Sequence, residues 1–124
     1  MIEMIKKFIV QIGMGVDQHG HNMDATGAAI KAVKNAISNN CLIGLRDILN
    51  MTDPSQMIVD IMIAKPKDTT INEKKVLRAA PFGKKSIKII DGGMIAQGIC
   101  IKELGDIDDS IIVVNAAVTV SFNF

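Results

Sequence analysis

Asp17 and His19 stand one residue apart in the stretch Gly13-Met14-Gly15-Val16-Asp17-Gln18-His19-Gly20-His21, and His21 repeats the interval. In an extended segment, side chains two positions apart project to the same side. A carboxylate and one or two imidazoles can therefore converge on one cation. Asp with two His is a sound donor set for zinc or another divalent transition metal, with a position left open for water or substrate. Without a metal, Asp17 and His19 offer an acid–base or substrate-binding pair. Gly13, Gly15 and Gly20 let the backbone turn tightly and let a substrate approach. Loop amides and a following helix N-terminus offer a third use, the binding of an anion. The Gly-x-Gly lacks the third glycine of the dinucleotide fingerprint, and no Lys-Ser/Thr pair follows it. A plain tight connection is the fourth reading, since Asp and His are common in turns.

Two elements must hold this stretch. Lys7 to Ile12 is nearly continuous apolar sequence, as expected of a strand covered on both faces, and Gly13 and Gly15 are expected to break it. A helix follows from near Asn22, with Ala25, Ala28, Ala29, Ala32, Val33, Ala36 and Ile37 at the i, i+3, i+4 spacing. Its stripe is mostly alanine, so its axis can approach a sheet closely. Asn22 or Asp24 can cap its start, and Asn39-Asn40 can end it.

Cys41 to Leu49 is apolar but fits either a short helix or an irregular segment, and Asp53-Pro54-Ser55 marks a turn. Met57 to Ala64 reads as a strand stopped by Pro66. Thr70-Ile71-Asn72-Glu73 has the form of a capping box, so Thr70 is expected to start a second helix carrying Val76, Leu77 and Ala80. Ser86 to Ile90 is a strand, Asp91-Gly92-Gly93 a hairpin turn, and Met94 to about Lys102 the return strand. Ser110 to Phe122 closes the chain, with alternate residues Ile112 to Phe122 on one face and Asn115, Thr119 and Ser121 on the other. The order is β-α-β-α-β-β-β, an α/β (α+β) arrangement in a single domain spanning residues 1–124. Two short helices cover only one face of such a sheet. The other face is partly apolar, which predicts a homo-oligomer.

Composition narrows the function classes. The chain is 48% hydrophobic but has four Phe and no Trp or Tyr, so aliphatic side chains must build the core. A net charge of +1 supplies no bulk field for nucleic acid or an anionic membrane, and neither is an expected partner. No secretory signal or membrane span is recognisable. Cys41 and Cys100 lie apart in apolar surroundings and are expected as buried thiols, which suits a cytoplasmic location. Lys65, Lys67, Arg78, Lys84 and Lys85 flank element ends, so they are candidates for an anion pocket, with Arg78 and Lys65 foremost for substrate binding. Asp60 interrupts an apolar strand, as a partner for a histidine or as a solvent-facing residue.

Ile12-Gly13-Met14-Gly15-Val16-Asp17-Gln18-His19 resembles the Ile-Gly-x-Gly-x-Asp-x-His segment of methylerythritol cyclodiphosphate synthases, and Val59 to Lys67 is similar to their Val-Asp-x-x-Ile strand ending in Pro-Lys. That resemblance implies Asp17 and His19 as ligands of a metal, normally zinc. The family's later histidine has no counterpart, because His21 is the only other histidine, and the family's nucleotide-site motifs are lacking. The synthase activity itself is not expected. Nearly the whole chain also resembles a small uncharacterised family of bacterial proteins with longer plastid relatives, marked by Gly-x-Gly-x-Asp-x-His-Gly. Gly13, Gly15, Asp17, His19 and Gly20 satisfy that hallmark. Together the two resemblances imply a trimeric chorismate-mutase-like architecture with sites between subunits. The resulting expectation is a metal-dependent or acid–base enzyme for a small anionic substrate, or else a non-catalytic module that binds a small anion or metabolite.

Overall fold

A computed structural model describes residues 5–18, 22–38, 57–81 and 83–123 of the chain. In order these form β1 (Ile5–Asp17), α1 (Thr26–Ser38), β2 (Ile58–Lys65), α2 (Glu73–Leu77), β3 (Lys84–Asp91), β4 (Met94–Gln97), a 3-10 turn (Lys102–Leu104) and β5 (Ser110–Asn123). The described residues of this mixed α+β chain build one five-stranded sheet with two helices. The apolar Cys41–Leu49 stretch, the turn at Asp53, Pro54 and Ser55, and the Asn39-Asn40 helix stop lie outside the described residues. No helix among the described residues is long and apolar enough to cross a membrane.

The last strand is the centre of the sheet. β5 pairs antiparallel with β1 on one side and with β2 on the other, and β3 extends β2 in parallel. β1 and β2 therefore run parallel with β5 between them. Along β5, Ile112, Val114, Ala116, Val118 and Val120 point to the covered face and are buried, matching the alternation in the sequence. They meet Val59, Ile61 and Ile63 of β2 and the Ala25, Ala28, Ala29, Ala32, Val33 and Ala36 stripe of α1. Val76 of α2 enters the same core, so both helices cover one face.

β1 does not break at its glycines. It runs through Gly13 and Gly15 to Asp17, with both glycines paired to β5. A Cβ on Gly13 would strike the backbone of Ala32 and Ala36, and one on Gly15 the backbone of Ala28 and Ala32. These glycines let an alanine-lined helix settle directly on the strand. The strand period of two and the helix stripe thus meet at the smallest side chains both elements offer.

The connection after β3 also differs from the expected hairpin. β3 and β4 do not pair; β4 pairs with residues 110–113 of β5, along the same edge that β2 occupies further on. β2 ends at Lys65 because Pro66 has no amide to continue the ladder. That leaves the start of β5 open, and the chain steps sideways into the vacancy. Gly93 makes the step possible, since a Cβ there would meet Pro66 and the carbonyl of Val113. The return strand is correspondingly short, ending at Gln97.

One helix start is among those expected from the sequence, and the other shifts. Asp24 rather than Asn22 serves the start of α1, accepting from the Thr26 amide at 2.9 Å. Thr70 does not cap α2; its backbone is paired with the loop before α1, donating to Met23 O at 3.0 Å and accepting from Ala25 N at 2.8 Å. Asn72 takes the cap instead, accepting from the Lys75 amide at 3.3 Å. Cys100 is exposed rather than buried, with its Sγ near Asp106 O at 3.9 Å; Cys41 lies outside the described residues.

Candidate functional site

Asp17 is the last residue of β1, on the helix-covered face opposite Ile112. Its carboxylate is half-buried against the first turn of α1, where a Cβ on Gly27 would lie 3.0 Å from Oδ2. That first turn has no acid of its own. Asp17 from the strand and Asp24 from the preceding loop place negative charge where the partial positive charge of the helix start is concentrated. His19, Gly20 and His21 lie outside the described residues. Among the described residues no three His, Cys, Asp or Glu side chains form a metal-ligand cluster.

The backbone leading from the site into α1 is held under tension. Asn22 and Met23 both adopt positive φ, at 44° and 59°, a conformation unfavourable for side chains larger than glycine. Three bonds hold this turn against the β2–α2 connection: the two between Thr70 and the residues around Asp24, and one from Asn72 N to Thr26 Oγ1 at 2.8 Å. Strained backbone fixed from outside is a recurrent property of functional loops. Past the end of β1 a hollow opens between Gln18 and the opposite wall of Gly98, Ile99, Ile101 and Ile111, a lining that does not include Asp17. That wall belongs to the β4–β5 connection, which is braced by the Asp106 carboxylate accepting from Ile101 N at 2.7 Å.

The cationic candidates divide between the two ends of the sheet. Lys65 ends β2 on the covered face, at the same end as Asp17 but across β5. Its ammonium turns toward β3, 3.5 Å from Asp91. Lys84 pairs with Ile58 at the other end of β2, roughly 23 Å away for seven strand residues. Lys85 follows it there. Arg78 is exposed at the C-cap of α2, and Lys67 is exposed in the turn after Pro66. Lys65 and the Lys84–Lys85 pair thus stand at opposite ends of β2. Asp60 is on the open face, accepting from Ser86 Oγ at 2.6 Å. Opposite Thr119, it lies seven residues along β5 from the Asp17 level, so it does not support that site.

A model of conserved hypothetical proteins, Lin0512_fam, matches residues 7–120. The chain belongs to the Lin0512_fam family. A comparison with curated proteins returns no match. Among solved structures, this Lin0512_fam chain is similar to an FtsZ-like protein of unknown function from Nostoc punctiforme PCC 73102, at 39% identity and a TM-score of 0.84. The likeness covers 97% of this chain and 98% of the other, so both share the whole fold.

Parts of this candidate region escaped the sequence reading. Gly27 carried a signal, a glycine inside an otherwise alanine-rich helical pattern, where it costs helix stability unless close packing requires it. Gln18 and the 98–101 wall carried none, because only the sideways step of β4 brings that connection to the end of β1.

Proposed function

We propose that this chain is a metal-dependent enzyme acting on a small anionic substrate, with Asp17, His19 and His21 as the metal ligands. The observation that carries this reading is the half-buried Asp17 carboxylate at the carboxyl end of β1, set against the first turn of α1 and followed within the chain by a turn with positive φ at Asn22 and Met23. Ligand sites in open sheets with helical crossovers favour that end of the strands. The resemblance of residues 12–19 to the metal-binding segment of methylerythritol cyclodiphosphate synthases supports the same assignment for Asp17 and His19. Bound metal would polarise the substrate as a Lewis acid or activate a water, and Asp17 and His19 hold it in position. Zinc suits the mixed carboxylate and imidazole donors.

The non-catalytic anion-binding reading has less support. At the start of α1 the Thr26 amide is occupied by Asp24 and the Ala25 amide by Thr70. Two carboxylates near that helix end repel an anion unless a cation lies between them. Lys65 turns toward Asp91 of β3 instead. On this reading a bound metal would supply the positive charge that an anionic substrate needs beside Asp17 and Asp24.

The same reading makes the protein a homo-oligomer, with a chorismate-mutase-like trimer as the favoured form. Support comes from the uncovered face, where Val10, Ile12 and Met14 of β1, Met62 of β2, Ile90 of β3 and Met94 of β4 are exposed together. These groups are interspersed with Asp60, Asn115 and Thr119, and large exposed apolar patches on a soluble domain often mark protein contacts. A cytoplasmic location goes with the exposed, unpaired Cys100 thiol.

Elemental analysis of protein purified without a histidine tag tests the metal. About one divalent metal per chain is expected, absent from Asp17→Asn and His19→Ala proteins whose circular dichroism is unchanged. Metal-free protein after reconstitution with zinc, or full occupancy in both variants, overturns the assignment.

A further inference from the structure

A second site lies at the opposite end of the covered face. Gln11 of β1 is directed into the core opposite Val118 and is only 1% exposed. Its Nε2 is buried and has no hydrogen-bond partner among the described residues. Buried amides are almost always satisfied, and an orphan donor in a native core calls for a specific explanation.

The amide borders a hollow of about 70 Å³ between the sheet and the ends of both helices. Ile37 closes it from α1, Ala80 and Pro81 from beyond α2, and Met57 and Val59 from the β2 side. This volume exceeds the roughly 10–15 Å³ that one water requires. Its described lining is apolar except for Gln11, so a chain of waters would find few partners there. An apolar pocket with one fixed polar group is the usual form of a small-molecule site, the polar group setting orientation.

We propose that this hollow binds a small neutral molecule with an apolar body and a carbonyl oxygen, which accepts a hydrogen bond from Gln11 Nε2. A carboxylate fits less well, because no cationic side chain appears in the described lining and the anion would be buried uncompensated. A hydrocarbon fills the space but leaves Nε2 unpartnered. The site is independent of Asp17, which lies near the far end of β1.

Cyclopentanone and cyclopentane, matched in size and differing in the carbonyl, distinguish these cases. Titration of the whole protein is followed by NMR of Ile, Val and Met methyls and of glutamine side-chain NH₂ groups. Cyclopentanone should shift the Ile37, Met57, Val59 and Val118 methyls saturably and move the Gln11 NH₂ resonance, with at least about fivefold tighter binding than cyclopentane. Gln11→Met, which keeps the volume, should abolish that preference while retaining cyclopentane binding. The Gln11 NH₂ readout in unaltered protein preserves the test if the variant does not fold. Absence of saturable shifts, equal affinity for both probes, or a Gln11 NH₂ already bonded to an ordered water or to residues 39–56 overturns the proposal.

Discussion

The two faces of one sheet follow opposite rules. On the covered face, β1 reduces its side chains to Gly13 and Gly15 so that α1 can rest on its backbone, and α1 responds with alanines. On the open face the same strand presents Val10, Ile12 and Met14, large apolar groups that no described element covers. Alternation along a strand makes both possible at once, because neighbouring residues serve different environments. The comparison teaches that small residues in β1 record the nearness of a helix, while large ones record a surface still to be buried.

The covered face should be the less forgiving. Gly15→Ala places a methyl into the backbone of Ala28 and Ala32, and neither can retreat without lifting α1. Overpacking of a close-packed core typically costs about 1–3 kcal/mol, and backbone obstruction puts this case at about 3 kcal/mol or more. Urea denaturation should show the loss as a lower midpoint with an unchanged slope. A loss below about 0.5 kcal/mol would mean that α1 does not lie where described.

On the open face, a comparable insult should leave the fold intact and alter assembly. Ile12 is 64% exposed in the single chain, so Ile12→Lys should change monomer stability by no more than about 0.5 kcal/mol. In the proposed oligomer it buries an unpaired charge, and dissociation should rise at least about a hundredfold. Sedimentation velocity over a concentration series reads this directly. An assembly state indifferent to Ile12→Lys and to Met62→Lys would remove this face from the interface.

The difference between the faces also explains what was legible from the sequence. Period two in β5 and the i, i+3, i+4 stripe of α1 are local records of burial, and both were readable. Gly13 and Gly15 were misread as a loop because glycine signals a turn and a close packing contact alike; only the register of α1 against β1 decides between them. Asp91-Gly92-Gly93 was misread because a hairpin and a sideways step share the same turn residues, and the early end of β2 at Pro66 selects the second. At the site, Asp17 was legible from spacing as a candidate side chain, but it was expected in a loop and stands at the end of β1. The half that depends on long-range placement was not: Gly27 beneath its carboxylate, the Gln18 hollow, and the separation of Lys65 from Lys84.

Gly27→Ala sharpens the comparison at the point where strand and helix meet the site. In a helix interior, alanine is favoured over glycine by roughly 0.5–1 kcal/mol. Here its methyl would stand 3.0 Å from Asp17 Oδ2 and push the carboxylate from the first turn. The expected outcome is a protein that melts no lower than the parent yet binds zinc about tenfold more weakly, within the range for disturbing the support of a metal ligand. Isothermal titration beside a thermal melt separates the two effects. Unchanged zinc affinity with raised stability would indicate that Asp17 serves only the helix start.

The smallest effect is expected at the boundary between the two faces, the outer edge of β1. Unpaired strand edges invite further strands, and α1 reaches over to occupy part of this one. Asn35 Oδ1 accepts from Met14 N at 3.0 Å, and Lys31 Nζ donates to Val16 O at 3.0 Å, one helical turn apart. Both contacts are exposed, so Asn35→Ala should cost only about 0.5–1.5 kcal/mol, the net worth of one hydrogen bond, with a small offset from alanine's better helix propensity. Its more telling readout is hydrogen exchange. The Met14 amide should exchange faster in Asn35→Ala while Gly13 and Gly15, paired inward to β5, keep their protection. If all three accelerate together, β1 opens as a whole and the helix, rather than the β5 ladder, holds the edge strand in place.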